Sequence, residues 1–188
     1  RMTRIHHGID HELFRPQPHI KRLTNRLMVT ASADVPLKGL IYLIRAYQSL
    51  LQDHPDLELL VVGRLREGQT MQELDKLGIR DRVRFVSNLS GQDICDLYAE
   101  ATIAVSPSVY EGFGFPPIEA MACNCPVVTS NNSSMFVVMN SSQGNDDKRP
   151  CCKEYFDFVR NSRRATPIDF CIFLNRVSSN AALSRGSS

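Results

Sequence analysis

The sequence predicts an α/β domain built on a doubly wound parallel sheet, with one appendage. Three observations carry this. Between residues 27 and 130, short apolar runs alternate with segments of helical period, the pattern of parallel strands joined by crossover helices. The run Leu57-Glu-Leu-Leu-Val-Val-Gly is almost continuously apolar, as a strand covered on both faces requires. Finally, 188 residues with 43% hydrophobic content suffice for one sizeable core and are too few for two large ones.

The elements follow in order. Residues 27–32 form the first candidate strand. Leu40, Leu43, Ile44, Tyr47, Leu50 and Leu51 recur at i, i+3, i+4 and i+7, so 39–53 reads as an amphipathic helix with one buried stripe. Residues 58–63 make the second strand, which the apolar run places centrally. A short helix over 70–77 ends at Gly78, a natural left-handed cap. Strand 83–87, helix 92–100, strand 102–107, helix 117–122 and strand 126–129 complete the alternation. Right-handed crossovers bring the strand C-termini to one edge, and ligands of such sheets bind outside that edge. The segments to read for chemistry are therefore 33–39, 63–69, 87–91 and 107–117.

Bulk properties exclude several function classes. No run of 18 apolar residues occurs, so no transmembrane segment is expected, and the N-terminus lacks a signal-peptide pattern. Up to Met135 there are 14 Lys and Arg against 15 Asp and Glu, and beyond it 8 against 5. The basic excess thus belongs to the tail, and the clustered basic face that nucleic-acid binding needs is missing. The six cysteines, at 95, 123, 125, 151, 152 and 171, form no CxxC pair, and no His follows at ligand spacing, so no metal site is expected. Cys95 and Cys123 read as small buried hydrophobes, and free thiols suit a reducing cytoplasm.

The densest chemistry lies in Ser106-Pro-Ser-Val-Tyr-Glu-Gly-Phe-Gly-Phe-Pro-Pro-Ile-Glu-Ala-Met-Ala-Cys, which runs from a strand end through a glycine loop into a helix. Glu111 falls in the loop. Glu119 is expected in the first turn of the helix, which Pro117 can start without losing a helical hydrogen bond. Gly112 and Gly114 let a ligand approach the main-chain N–H groups of 112–115 near a helix N-terminus, and carboxylates beside them accept from vicinal hydroxyls. On spacing alone, a plain turn with a solvated Glu111 and a Glu119 that offsets the helix dipole accounts for the pattern equally well. Lys38, at the start of a helix after a strand, is placed to meet a phosphate, with an ordinary solvated lysine as the alternative.

The stretch Tyr110-Glu-Gly-Phe-Gly-Phe-Pro-Pro-Ile-Glu-Ala-Met-Ala-Cys-Asn-Cys-Pro-Val-Val-Thr-Ser resembles the E-x7-E signature of glycosyltransferase family four, a retaining family of GT-B fold. Three further segments agree: His7-Gly-Ile-Asp-His-Glu-Leu-Phe-Arg-Pro resembles the family's entry into its second domain, Leu37-Lys-Gly-Leu its first-helix opening, and Arg82-Val-Arg-Phe-Val-Ser-Asn-Leu-Ser the strand and loop that receive the nucleobase. The resemblance covers residues 1 to about 135. It implies a Rossmann-like domain, the second of a GT-B pair, that binds a nucleotide-sugar donor. Glu111 would be catalytic and contact the donor sugar, and Glu119 would bind the ribose hydroxyls. Lys38 would bind donor phosphate, the amides of Phe113, Gly114 and Phe115 would hold sugar and diphosphate, and Ser87 to Leu89 would receive the base. The family's usual arginine five residues before the lysine is Ala33 here, with Arg64 a substitute guessed at. His6 and His7 read as linker residues, and Asp10, Phe14 and Pro16 as fixing the entry turn.

These readings divide the chain into an entry segment, 1–26, a donor-binding domain, 27–135, and an irregular tail, 136–188, where similarity and periodicity stop together. A shifted reading frame, an alternative exon or a mispredicted intron would produce such a break. The sequence reads as a truncated fragment of a longer cytoplasmic or membrane-peripheral enzyme whose first Rossmann-like domain is missing. The expected activity of that parent is transfer of a hexosyl group from a nucleotide diphosphate sugar to an acceptor hydroxyl with retention, without a cofactor or metal; the acceptor is not legible. A non-catalytic nucleotide-sugar-binding fragment and a sugar-nucleotide epimerase on the same fold are the alternatives.

Overall fold

A computed structural model describes residues 8–31 and 35–130. Five strands, β1 (Arg26–Thr30), β2 (Glu58–Val62), β3 (Val83–Val86), β4 (Ile103–Ser106) and β5 (Val127–Thr129), alternate with helices α1 (Leu40–Leu50), α2 (Gln69–Leu77), α3 (Gly91–Glu100) and α4 (Phe115–Ala122). They form one sheet in the order β3-β2-β1-β4-β5, with every pairing parallel. The expected doubly wound sheet is therefore present. The strand assigned to the centre, β2, instead has β1 on one side and β3 on the other, one place from the edge. Its run is apolar because both faces are covered there too: Leu59, Leu60 and Val61 are all buried.

Alternation of side chains along each strand sends two sets of residues to two cores. Leu27, Val29, Leu59, Val61 and Val105 meet Leu43, Ile44, Tyr47 and Leu50 of α1 and Leu74 of α2. Met28, Ala104 and Val127 meet Cys95 and Tyr98 of α3, Ala120 of α4, and Leu13 and Phe14 of the entry segment. The predicted α1 stripe is the buried one, and fully burying each such side chain stabilises the domain by roughly 1.5–3 kcal/mol before entropy is counted. α1 is shorter than predicted at its C-terminal end, stopping at Leu50.

Two features of this topology position the site. The chain steps outward from β1 to β2 to β3 and then returns to the other side of β1 with β4. At this reversal the chain leaves β1 and β4 for opposite faces of the sheet, with α1 packed on one and α4 on the other, and ligands of such sheets bind in the crevice at the C-terminal ends of two such strands. In addition, α4 begins at Phe115, two residues before the predicted start, with Pro116 and Pro117 in its first turn. Glu119 consequently sits in the second turn rather than the first. The helix starts early because Gly114, at φ 86°, adopts the left-handed cap conformation that a side-chain-bearing residue would resist. The tail, 136–188, with Ala33, His6 and His7, lies outside the described residues.

Candidate functional site at the β1–β4 crevice

The wall on the β1 side is the 3-10 turn Pro36–Lys38 and the α1 cap Gly39; the wall on the β4 side is the loop 107–114. Two contacts join them. The Val109 amide donates to the Leu37 carbonyl at 2.8 Å. Gly39 packs against Pro107 so closely that a Cβ there would fall 2.0 Å from the Pro107 carbonyl oxygen. With φ at 66°, Gly39 is required twice over, once by its backbone conformation and once by the approach. The backbone stitch brings the charges together: Lys38 Nζ lies 2.6 Å from Glu111 Oε1, and the Ser108 hydroxyl donates to the same oxygen at 2.8 Å. Ser108 is itself buried, and its carbonyl accepts from the Ser130 hydroxyl, which fastens the loop to the end of β5.

Helix termini supply the neutral part of the site. The caps of α1 and α4 are left-handed glycines, which bring no side chain of their own to the first-turn amides. At α4, Pro116 and Pro117 carry no N–H, so the N–H groups at the start of this helix are those of Phe115 and of the glycine loop. The space over Gly112 is open: a Cβ there would meet nothing within 4 Å. Phe113 and Phe115 hold each other, ring centroids 4.7 Å apart and tilted by 50°. The exposed large hydrophobic residues Val35, Leu37, Val109, Tyr110 and Phe115 also belong to these two walls or to the first turn of α4.

Glu119 differs from Glu111 in its partners. It is half-buried, and among the described residues no cation pairs with it. Burial pushes its carboxyl above the usual carboxylate range, because a low-dielectric surrounding disfavours the charged form. Behind it, the Tyr98 and Thr30 hydroxyls share a hydrogen bond of 3.1 Å, and burial also pushes the thiols of Cys95 and Cys123 up, the latter to about 12. Cys95, Cys123 and Cys125 are free and buried, as small hydrophobes are.

The predicted base loop, with Ser87 and Leu89, follows β3 at the same edge of the sheet. It is two strand spacings from β1, about 10 Å away. Its far end is fixed by a capping box in which the Ser90 hydroxyl accepts from the Asp93 amide and the Asp93 carboxylate accepts from the Ser90 amide. Arg64, guessed at as a phosphate ligand, donates from Nη2 to Asn88 Oδ1 at 3.3 Å, so it ties the loop after β2 to the base loop. Asp10 does close the entry turn: its carboxylate accepts from the amides of Glu12 and Leu13. Ser108 and the Gly39–Pro107 approach escaped the sequence reading, because neither contact is local. The Ser90–Asp93 box was readable from its spacing and was missed.

The arrangement offers a cation, hydrogen-bond donors from loop amides and an acceptor carboxylate within one crevice, and a second, half-buried carboxylate on the adjoining helix. A phosphate suits the cation and amides, and hydroxyls suit the carboxylates.

Residues 13–146 match the family model described as glycosyl transferases group 1. The MMP alpha-(1->4)-mannosyltransferase of Mycolicibacterium hassiacum is 42% identical over 129 residues, which are 68% of this chain and 31% of that protein. The O-antigen chain mannosyltransferase B of Escherichia coli is 37% identical over 110 residues, 57% of this chain and 29% of the relative. The chain therefore spans about a third of the length of the curated relatives it matches. Among solved structures, the C-terminal domain of a glycosyl transferase group 1 family protein from Francisella tularensis superposes with a TM-score of 0.58 at 19% identity, covering 95% of this chain and 98% of that one. Anabaena HepE, solved in complex with UDP and glucose, superposes with a TM-score of 0.58 at 21% identity, covering 95% of this chain and 51% of its own. The matched family and the parallel sheet with its β1–β4 crevice agree: this chain belongs to the group 1 glycosyl transferases and has the Rossmann-like fold of their C-terminal domain.

Proposed function

We propose that the protein to which this chain belongs transfers a hexosyl group from a nucleoside diphosphate sugar to an acceptor hydroxyl with retention of configuration, and that this chain supplies the donor-binding side. The observation that carries the reading is the Lys38–Glu111 contact of 2.6 Å at the switch point of the sheet. It sets a phosphate ligand against a hydroxyl acceptor, which is the juxtaposition the bond between diphosphate and sugar needs.

In this reading the donor lies along the C-terminal edge of the sheet. The base rests near Ser87 and Leu89, Glu119 accepts from the ribose hydroxyls, and the amides of Phe113, Gly114 and Phe115 take the diphosphate and sugar. Glu111 accepts from a sugar hydroxyl and fixes the orientation of the reacting carbon. As the bond to the leaving diphosphate breaks, negative charge grows on its terminal oxygens. Once Glu111 has passed to the sugar hydroxyl, Lys38 and the loop amides stabilise that charge electrostatically, and the step calls for no resident cofactor. Relatives named as mannosyltransferases and a neighbour solved with UDP and glucose support a nucleotide sugar as donor. The two relatives are named for transfer, which argues against an epimerase.

Calorimetric titration of the full chain with UDP-glucose and GDP-mannose tests this. One of the two should give saturable heat, and Lys38→Ala and Glu119→Ala should each weaken binding about tenfold or more, as loss of a charged hydrogen-bonding partner does. Absence of heat with both donors, or indifference to both substitutions, would sink the reading.

A further inference from the structure

We propose that Glu111 makes the site discriminate between an intact nucleotide sugar and the spent nucleoside diphosphate, acting as an internal competitor for Lys38. The inference rests on the donor-site reading above and goes beyond it, because it concerns which ligand is retained.

The basis is the ion pair itself. Lys38 is the cation that the described residues place between the two walls, and its ammonium is engaged by Glu111 at 2.6 Å. The carboxylate is held in that position by Ser108, whose hydroxyl donates to the same oxygen at 2.8 Å and whose loop is fastened by Ser130. The Glu111 side chain is only 13% exposed, so water screens its charge little. Any phosphate that approaches Lys38 must therefore share the ammonium with a fixed negative charge.

The two ligands meet this competition differently. When an intact donor binds, Glu111 exchanges the ammonium for a sugar hydroxyl, and the carboxylate remains hydrogen-bonded. The phosphate that bears the sugar is a diester-like group with a single negative charge. When a nucleoside diphosphate binds, no hydroxyl replaces the ammonium, and the terminal phosphate carries a second negative charge above a pH of about 6. Glu111 then faces an additional like charge, and the sugar hydroxyl that offsets it in the donor complex is absent. The penalty falls on the product and spares the donor, which favours product release after transfer. Ser108 is the positioning residue, since it keeps the carboxylate where the competition occurs.

The test compares UDP with UDP-glucose and GDP with GDP-mannose by calorimetry at pH 8, using the full chain and its Glu111→Gln and Ser108→Ala forms. Glu111→Gln keeps the shape and removes the charge. It should tighten nucleoside diphosphate binding about tenfold while weakening the nucleotide sugar, which loses the acceptor for its hydroxyl, so that the ratio of the two dissociation constants shifts toward product. Ser108→Ala should shift the ratio in the same direction by a smaller factor and covers the case in which Glu111→Gln fails to fold. Donor binding by the unaltered chain with no selective gain for the diphosphate in either variant overturns this proposal and leaves the donor site standing. Failure of the unaltered chain to bind any of the four ligands overturns both.

Discussion

Two glutamates eight positions apart behave as different chemical objects because their surroundings differ. Glu111 is paired with Lys38 and Ser108, whereas Glu119 is half-buried and pushed toward protonation by desolvation. The cost of holding Glu119 ionised has two consequences of opposite sign. For folding, a raised carboxylate pKa means that its stabilising contribution is fully present below the ordinary carboxylate range and is lost as the pH rises through the raised value. For binding, only the ionised form accepts from both ribose hydroxyls, so affinity for nucleotide should fall as the pH drops through that same value. Glu119→Gln should separate the two. Its melting temperature at pH 7 is expected to equal or exceed that of the unaltered chain, while its affinity for the nucleotide sugar is lower and lacks the loss on acidification that Glu119 gives the unaltered chain. A lower melting temperature with unchanged affinity would show that Glu119 is merely structural. The spacing of the pair was legible in the sequence, but their unequal pairing was not, because it depends on where α4 starts and on which loop brings Lys38 to Glu111.

At the level of elements, the site is made by loops that strands deliver and helices terminate. The lysine turn and the glycine loop belong to segments some 70 residues apart, and Gly39 is the point at which their backbones touch. Gly39→Ala places a Cβ into the Pro107 carbonyl and forces a left-handed φ on alanine. It should cost ~2 kcal/mol or more of stability, read from chemical denaturation, and should disconnect Lys38 from Glu111, so that nucleotide affinity drops beyond what the lower stability explains. A fully stable variant with unaltered binding would show that the two walls do not need this approach. The contrast among helix starts carries the same logic. α3 is closed by the Ser90–Asp93 box, whereas α1 and α4, which face the crevice, begin at uncapped glycines. Helical period and strand runs were readable from residues such as Leu40, Leu43 and Tyr47, since burial of one stripe imposes them. Helix α4 starts two residues before the position that Pro117 predicts, because Pro116 is equally tolerated in a first turn.

Across the whole molecule, stability and recognition occupy separate regions. The cores lie on the two faces of the sheet, and the crevice lies at one edge. Tyr47 illustrates the division: fully buried in α1, it donates to the carbonyl oxygens of Leu57 and Arg82, at 2.8 and 3.0 Å. Tyr47→Phe should cost about 1–2 kcal/mol in denaturation experiments and leave nucleotide affinity unchanged. Affinity that falls in step with stability would contradict the separation. The doubly wound class was legible because alternating runs and stripes are local, while the strand order was not, since a continuous apolar run reports two covered faces rather than a central place. The opposite edge of the sheet provides a built-in control: a groove there is lined by Arg26, Glu58, Arg82 and Arg84, but Arg26 is already paired with Glu58 and Glu100. The most direct measurement is therefore the map of backbone amide shifts in a nitrogen-15 labelled full chain as UDP-glucose or GDP-mannose is added. The account predicts saturable shifts confined to residues 35–39, 87–91 and 107–119. Shifts centred instead on 55–60 and 81–84, or none with either donor, would contradict it.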